Sequence, residues 1–275
     1  MKLKLNFSTC PNDTFMFGAM VSNKINTKGF YFDLHLADIE ELNRLAEDGY
    51  PDITKLSYGA FPYVADKYQL LDSGSALGKG VGPLVVSKRK IYPDEVPFVK
   101  VALPGERTTA HLLFNLAFPN ANQKKFYLFS EIMDVVMSNE VDVGVIIHES
   151  RFTFEQKGLL KVMDLGNYWE KKSGMPTPLG GIAVRRDLPE YVKVDLNGML
   201  RESVEYAFEK PQEVMPYVKQ YAQEMEEEVM LRHIDLYVNR YSLSLGQNGR
   251  NAVMKLLKAS GQLRNNFDVS NFFVG

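Results

Sequence analysis

The stretch VDVGVIIHES, residues 141–150, combines the pattern of a buried strand with a reactive side chain at its end. Four of the five residues in the apolar run 143–147 are β-branched, which favours a strand packed inside a sheet. The run then ends on His148, which is followed by Glu149. A buried strand has no structural need for a histidine at its end. The residues at the ends of the other strands can therefore indicate what this histidine does.

Three other short runs pass from a strand pattern directly into residues that start helices. They are residues 3–8 (LKLNFS), 52–57 (DITKLS) and 99–103 (VKVAL). Asn12 and Asp13 begin the helix after the first run, and Ser57 is placed to be the N-cap after the second. Thr108 or Thr109 can cap the helix after the third. Strands that alternate with helices at this spacing predict an α/β fold with parallel or mixed sheets.

Two segments far apart in the chain resemble each other, GVGPLVVSKRK at residues 80–90 and PLGGIAVRRD at residues 178–187. Each places glycines and a proline before an apolar strand that ends in basic residues. Such a pair suits a chain that crosses between two lobes and returns. We therefore expect residues 1–85 and 185–275 to form lobe I and residues 86–184 to form lobe II.

The glycine-rich segment GSALGKGVGP, residues 74–83, lies at the first of these crossings. It matches neither common nucleotide-phosphate pattern, and it precedes a strand instead of opening a helix. We expect its glycines to allow close backbone approach. Together with Gly180 and Gly181 on the second crossing, Gly82 and Pro83 are predicted to form a hinge.

Composition excludes several classes of protein. The chain has 275 residues, 45 % of them hydrophobic, so it can build a proper core. Its net charge of −2 is mixed along the chain, and no basic tract predicts nucleic-acid binding. Cys10 is the single cysteine, so neither a disulfide framework nor a cysteine metal cluster is expected. With no export signal and no long apolar window, we expect a soluble, cytoplasmic protein that does not insert into membranes, and a homo-oligomer is left open.

The polar residues at the strand ends predict one shared ligand site, because ligands of open α/β sheets bind beyond the carboxyl ends of the strands. Those ends carry Asn12–Asp13–Thr14, Lys55–Leu56–Ser57, Thr108–Thr109–Ala110 and His148. Three of the four combine a polar side chain with a helix N-terminus, where free N–H groups attract an anion. Plain capping would explain any one of them. Together they predict a site for the carboxylate or phosphate of a small molecule.

Of the four histidines, only His148 stands where an apolar strand opens to this crevice. An ordinary imidazole pKa of about 6.5 would let it accept a proton at cellular pH. His35, in an alternating strand, is expected to be structural, and His111 could face the site or solvent. His233 is expected on a surface helix. No histidine pair has metal-ligand spacing, so a metal site is not expected.

Several motifs, in this order along the chain, resemble the 1,4-dihydroxy-6-naphthoate synthase family of the futalosine route to menaquinone. They are STCPNDTFMFGAM, TKLSYGAF, ALGKGVGPLVVS, PGERTTAHLL, GVIIHESRFTF, DLGNYWE and PTPLGGIAVRRDL. The resemblance runs from about residue 5 to the C-terminus. It implies a type II periplasmic-binding-protein-like fold, two lobes joined by two crossing strands, put to use as a lyase without a cofactor. It also implies a substrate, cyclic dehypoxanthinyl futalosine, cleaved to 1,4-dihydroxy-6-naphthoate and a three-carbon fragment.

The same resemblance assigns roles to residues that the strand ends had already marked. His148 falls on the family's proton acceptor, and the substrate-binding positions fall on Lys55, Leu56, Ser57, Thr109 and Ala110. The substrate carboxylate is then expected on the hydroxyls of Ser57 and Thr109 and on the adjacent helix N-terminal amides. Thr9 departs from the family, which often has proline there, and is expected to alter the local turn only.

Three other functions fit the same architecture. A non-catalytic cytoplasmic protein that binds small carboxylates would share the two-lobe plan, although a histidine at the crevice disfavours it. A chorismate dehydratase-like enzyme of the same pathway is related, but the HESRFT and PNDTF segments favour the synthase. A regulatory effector-binding domain is disfavoured because no helix-turn-helix segment flanks it.

Overall fold

A computed structural model describes residues 1–222, 226–263 and 268–275 of the chain. Its strands are β1 (Lys2–Phe7), β2 (Tyr31–Leu36), β3 (Ile53–Ser57), β4 (Tyr68–Leu70), β5 (Ala76–Gly78), β6 (Leu84–Ser87), β7 (Val101–Leu103), β8 (Lys124–Phe126), β9 (Val143–Ile146), β10 (Leu160–Asp164) and β11 (Thr177–Arg185). Its helices are α1 (Pro11–Val21), α2 (Ile39–Glu47), α3 (Phe61–Val64), α4 (Thr109–Ala117), α5 (Ile132–Met137), α6 (Ser150–Thr153), α7 (Leu165–Ser173), α8 (Glu190–Glu209), α9 (Pro211–Tyr221), α10 (Glu227–Tyr237), α11 (Arg240–Leu243) and α12 (Gly246–Ala259). Short 3₁₀ turns occur at Val96–Phe98, Phe129–Glu131 and Val269–Asn271.

The strands form two mixed sheets, which confirms the predicted α/β class. The first sheet has the order β2-β1-β3-β11-β4, and β5 also pairs with β11. Strand β1 is parallel to β2 and β3, whereas β11 is antiparallel to each of its neighbours. The second sheet has the order β10-β6-β9-β7-β8, with β7 parallel to both β8 and β9. The four predicted strands correspond to β1, β3, β7 and β9.

The strands that belong to each sheet show where the chain crosses from one sheet to the other. The first sheet takes its strands from residues 2–78 and 177–185, and the second takes them from residues 84–164. The chain therefore crosses between Gly78 and Leu84 and returns between Asp164 and Thr177. Strand β11 hydrogen-bonds to β3 in the first sheet, although the predicted limit of lobe II lies near residue 184.

Gly180 and Gly181 do not lie at a crossing, so the predicted hinge there is wrong. Both lie inside β11, opposite Ser57 and Leu56 of β3. A Cβ atom on Gly180 would lie 2.8 Å from the carbonyl oxygen of Leu56. One on Gly181 would lie 2.7 Å from the hydroxyl of Tyr58. These glycines let neighbouring backbone and side chains approach closely, which is a packing role.

The first crossing also depends on close approach, as predicted for its glycines. A Cβ atom on Gly82 would lie 2.2 Å from the Cα of Gly166, at the start of α7. Arg151 of α6 donates hydrogen bonds to the Gly82 carbonyl and, at 3.0 Å, to the Asp164 carboxylate. Asp164 in turn caps α7 by accepting from the amide of Asn167 at 3.0 Å. The arginine of the HESRFT segment thus ties the residues after β9 to the crossing.

Helices of the last third cover the first sheet and bring α10 to the strand ends. Helix α1 packs against α8, α9 and α10. The buried residues of α10 are Val229, Met230, His233, Ile234 and Tyr237. Their spacing follows one face of a helix, so His233 belongs to the buried face.

Within the described ranges, no helix combines the length and the apolar composition needed to cross a bilayer.

Candidate active site

A cleft with about 630 Å³ of empty space lies at the carboxyl ends of β1, β3 and β9. Five of the six residues predicted for the site line it: Lys55, Ser57, Thr109, Ala110 and His148. The cleft is also lined by Ser8, Asn12, Asp13, Ile39, Ala76, Val81, Pro83, Thr108, Ile147, Leu179, Gly180, His233 and Tyr237.

Leu56 does not line the cleft with its side chain, so only its backbone could make the predicted contact with the substrate. Side chains alternate between the two faces of a strand. Since Lys55 and Ser57 line the cleft, Leu56 points the other way, and it is fully buried in the main hydrophobic core. Its role is to hold β3 in place.

His148 lies just beyond the end of β9, in a backbone conformation that few residues with a side chain adopt. Its φ is 55°, in the left-handed region. This turn ends the strand and directs the chain into α6. The edge of the ring packs against Phe129, with 5.0 Å between ring centroids, and the residue stays partly accessible from the cleft. Strain of this kind is typical of functional sites.

The surroundings of His148 keep its imidazole neutral. Burial lowers its pKa to about 4, Asp13 opposes this shift, and the positive charge of Lys55 adds to it. A neutral imidazole has a free nitrogen lone pair and can accept a proton. The predicted base is therefore in the required protonation state over the whole physiological pH range.

Asp13 and Lys55 form a buried ion pair at the base of the cleft. Asp13 is 1 % exposed and Lys55 is 5 % exposed, and the Lys55 ammonium donates to Asp13 Oδ1. Asp13 Oδ2 accepts from the hydroxyl of Ser8 at 2.7 Å, and Oδ1 accepts from Asn12 Nδ2 at 2.8 Å. This carboxylate occupies the N-terminus of α1 and repels other anions there. The junction at residues 12–14 is therefore not an anion site, contrary to the sequence expectation.

Ser57 is not an N-cap, as had been predicted, but its hydroxyl can still bind a ligand. Helix α3 begins after Ala60, and no side chain caps it. Asn43 fixes Ser57 from the other side, since its amide donates to Ser57 Oγ at 3.1 Å and accepts from Ser57 N at 2.9 Å. Among the described residues, no acceptor takes the hydrogen of the Ser57 hydroxyl. That hydrogen can therefore be donated to an anion in the cleft.

Thr108 caps α4 and Thr109 does not. Thr108 Oγ1 accepts from the amide of His111 at 3.2 Å. Thr109 Oγ1 instead donates to the Leu179 carbonyl at 2.5 Å and accepts from the amide of Gly59 at 3.0 Å. The only hydrogen of the Thr109 hydroxyl is used in this way, so it cannot also be donated to a substrate carboxylate, contrary to the sequence expectation.

The backbone of α4 provides the donors that the Thr109 hydroxyl cannot. In the part of the chain that the structure describes, the amides of Thr109 and Ala110 donate to no acceptor. Both lie in the first turn of the helix, where intrahelical partners are lacking and the dipole favours an anion. Together with the hydroxyl of Ser57, they form the group of donors that faces the cleft.

His233 is the largest correction to the sequence expectation. It was placed on a surface helix, yet it is 0 % exposed and lines the cleft. Its ring lies nearly parallel to that of His148, with 6.2 Å between centroids. Its Nε2 lies 2.9 Å from Asn12 Oδ1. The buried spacing along α10 is visible in the sequence and could have revealed this position.

The two remaining histidines lie outside the cleft. His35 is exposed on β2 and contacts Glu41 at 3.0 Å. His111 is held by the Glu106 carbonyl at 2.8 Å and by Asn115 at 3.0 Å, so it does not face the site. Over residues 1–222, 226–263 and 268–275, no cluster of three or more His, Cys, Asp and Glu side chains could hold a metal ion.

Comparison with solved structures supports the predicted fold. The chain is 33 % identical to a protein of Archaeoglobus fulgidus, with a TM-score of 0.89 over 94 % of this chain and 97 % of that one. The periplasmic aliphatic sulphonate binding protein of Escherichia coli is 10 % identical, with a TM-score of 0.65 over 98 % and 91 % of the two chains. The fold is therefore of the periplasmic-binding-protein kind, as expected from the sequence.

Sequence comparison then shows the family. A family model described as menaquinone biosynthesis matches residues 3–262. The 1,4-dihydroxy-6-naphthoate synthase of Thermus thermophilus is 43 % identical, over 92 % of each chain. The enzyme of the same name from Streptomyces coelicolor is 40 % identical, over 93 % of this chain and 91 % of that one. The chain therefore belongs to the menaquinone-biosynthesis family in which these two synthases are found.

Proposed function

We propose that the protein is a 1,4-dihydroxy-6-naphthoate synthase, a lyase that cleaves cyclic dehypoxanthinyl futalosine with His148 as proton acceptor. The observation that carries the proposal is a neutral, partly accessible imidazole held by a strained turn at the edge of a cleft. A base must reach its proton and be unprotonated, and His148 meets both requirements. The names of the two relatives supply the product, and the substrate is the one that the motif resemblance implies.

The aryl carboxylate of the substrate binds to donors that line the same cleft. The Ser57 hydroxyl and the amides of Thr109 and Ala110 are available, and the buried ammonium of Lys55 also lines the cleft. Hydrogen bonds to a charged group are worth on the order of 1.5–3 kcal/mol each. This anchoring orients the fused carbocycle towards His148.

His148 then takes a proton from the carbocycle, and the electron pair of that C–H bond enters the ring as the bond to the sugar-derived fragment breaks. Aromatisation of the second ring drives the cleavage. A positioned base contributes typically 10²–10⁴-fold to the rate. The donors that bind the substrate carboxylate also orient the substrate, which contributes to the rest of the rate acceleration.

The direct test is to incubate the purified protein with cyclic dehypoxanthinyl futalosine and to detect 1,4-dihydroxy-6-naphthoate by mass. We expect product with the wild type and about 10²–10⁴-fold slower turnover with His148→Asn, which removes the base. The variant should still bind the substrate, because the donors that bind the substrate carboxylate are intact. Binding without any product from the folded wild type would favour a carboxylate-binding protein.

A further inference from the structure

The buried histidine on α10 has one nitrogen whose role the proposed base does not explain. His233 Nε2 contacts Asn12 Oδ1 at 2.9 Å. His233 Nδ1 is buried and has no hydrogen-bond partner among the described residues. The nearest carboxylate oxygen, Oε2 of Glu149, lies 4.0 Å away, beyond hydrogen-bonding distance. A buried polar atom without a hydrogen-bond partner costs free energy unless a ligand or a water molecule pairs with it.

The ion pair at the base of the cleft determines which nitrogen of His233 carries the hydrogen. Asp13 is paired with the Lys55 ammonium, so its carboxylate only accepts hydrogen bonds. Asn12 must therefore present Nδ2 to Asp13, and its Oδ1 then faces His233. An amide oxygen only accepts, so His233 Nε2 is the donor. The Nδ1 atom of the neutral ring is left with a lone pair.

Burial, together with neighbouring His148 and Lys55, keeps His233 neutral. Burial lowers its pKa well below the ordinary value, and His148 and Lys55 lower it further. The lone pair on Nδ1 is thus an acceptor at all physiological pH values. Since the residue lines the cleft beside His148, a ligand that reaches His148 also comes close to His233.

We propose that His233 is a second substrate-contacting histidine, whose Nδ1 accepts a hydrogen bond from a hydroxyl group of the sugar-derived part of the substrate. This inference rests on the proposed function, because the fragment that leaves the carbocycle must lie next to the atom that loses its proton. A hydroxyl group supplies the donor that Nδ1 lacks. Lys55, Asp13 and Asn12 fix the acceptor in place through one chain of hydrogen bonds.

Two variants separate this contact from a purely structural role. His233→Gln places an amide nitrogen near the position of Nε2 and can still donate to Asn12, but it removes the acceptor at Nδ1. His233→Asn is the matched control, because its shorter amide reaches the position of Nδ1 and loses the contact with Asn12. We expect His233→Gln to raise KM for cyclic dehypoxanthinyl futalosine about 10- to 100-fold with little change in kcat, since the contact does not involve the reacting atoms. We expect His233→Asn to unfold at lower urea concentration.

Substrate analogues complete the test. Replacement of the contacting hydroxyl by hydrogen should raise KM of the wild type by a similar factor and should have no further effect on His233→Gln. Each hydroxyl of the sugar-derived part is replaced in turn. A folded His233→Gln protein with wild-type KM and kcat would overturn the inference, and so would a wild type that is indifferent to every replacement. If His233→Gln does not fold, indifference of the wild type to every replacement still overturns the inference.

The two proposals fail in different ways. A folded wild type that makes no naphthoate would count against the proposed function. An active wild type would count against the histidine contact alone if its KM did not change with the analogues and if His233→Gln had the same KM.

Discussion

The site depends on a few side chains that are unusual for a protein interior. Two neutral histidines and a lysine–aspartate pair lie within one cleft. Burial disfavours the charged form of a single group and lowers the pKa of both histidines, whereas Lys55 and Asp13 form a buried ion pair. The outcome is a region with one fixed ion pair and two imidazoles that can accept hydrogen bonds.

The pH dependence of activity follows from His148. Its pKa is lowered to about 4, so the neutral base persists well below the ordinary histidine range. We expect kcat/KM of the wild type to stay constant from about pH 7.5 down to about pH 5.5 and to fall only near the lowered pKa. A pH–rate profile checks this. An acid limb centred on about pH 6.5 would show that the base titrates as an exposed histidine does.

The same histidines affect stability in acid. In the unfolded chain they bind protons near pH 6.5, whereas in the folded protein the pKa of His148 is about 4 and that of His233 is also lowered. Below pH 6.5 the unfolded state therefore binds more protons than the folded state. As the pH is lowered, the stability of the folded protein falls until the folded pKa values are reached. We expect urea unfolding midpoints to drop between about pH 6.5 and 4, and to drop less in His148→Asn.

The ion pair provides a second prediction at this scale. Asp13→Asn leaves the Lys55 ammonium buried without a counter-charge, which should cost on the order of 3–5 kcal/mol in the free energy of unfolding. The control is Asp33→Asn, because Asp33 pairs with Lys2 at 3.1 Å and both side chains are exposed. That variant should lose less than about 1 kcal/mol. Equal losses in the two variants would contradict the buried-pair interpretation.

At the scale of elements, the N-terminus of α4 combines a helix cap, two backbone amides without an acceptor among the described residues, and a bridge to neighbouring segments. Thr108 caps the helix, the amides of Thr109 and Ala110 face the cleft, and the Thr109 hydroxyl reaches the residues that follow β3 and the start of β11. A single turn of α4, the helix that follows β7 of the second sheet, is thereby joined to two segments of the first sheet. The hydroxyl of Thr109 has a structural task that its position in the motif does not reveal.

This division of roles predicts different effects for Thr109→Val and Thr109→Ser. Valine leaves the Gly59 amide and the Leu179 carbonyl without their partner, which should lower the free energy of unfolding by about 1–3 kcal/mol. Serine keeps the hydroxyl and should lose less. Chemical unfolding measures both. A valine variant as stable as the wild type that binds the substrate more weakly would mean that the hydroxyl contacts the ligand.

At the scale of the whole molecule, contacts between the two sheets hold the cleft in one arrangement. The carboxylate of Glu40, on α2, accepts from the amides of Glu106 at 2.9 Å and Arg107 at 3.0 Å, in the loop before α4. Arg107 also pairs with Glu47. These contacts lie beside the cleft, across from the two crossings, so their loss would let the sheets separate about the crossings.

We therefore expect Glu40→Ala to enlarge the radius of gyration of the ligand-free protein, with naphthoate product restoring the wild-type value. Small-angle scattering with and without product measures this. Glu41→Ala is the control, because Glu41 lies on the same helix and its carboxylate pairs with exposed His35. Identical radii for both variants in both states would indicate a rigid cleft. The lobe limits, the cytoplasmic location and any homo-oligomer stay predictions.

Much of the architecture could be predicted from the sequence because the relevant signals are local. Strands β1, β3, β7 and β9 show β-branched or alternating residues, and their polar ends follow within a few positions. Since the carboxyl ends of strands in such sheets meet on one side, the position of His148 and most of its neighbours followed from these patterns. The order of the motifs then indicated the family.

Only the tertiary structure decided how those residues are used, because their partners lie far away in the chain. Asp13 and Lys55 are 42 residues apart, and Asn12 and His233 are 221 residues apart. Local patterns contain no information about such pairs, so Asp13 was taken for part of an anion site and His233 for a surface residue. Which hydroxyls keep a free hydrogen, and which histidines lose their protons, depends on burial and on hydrogen-bond partners that form only when the two sheets and α10 pack together.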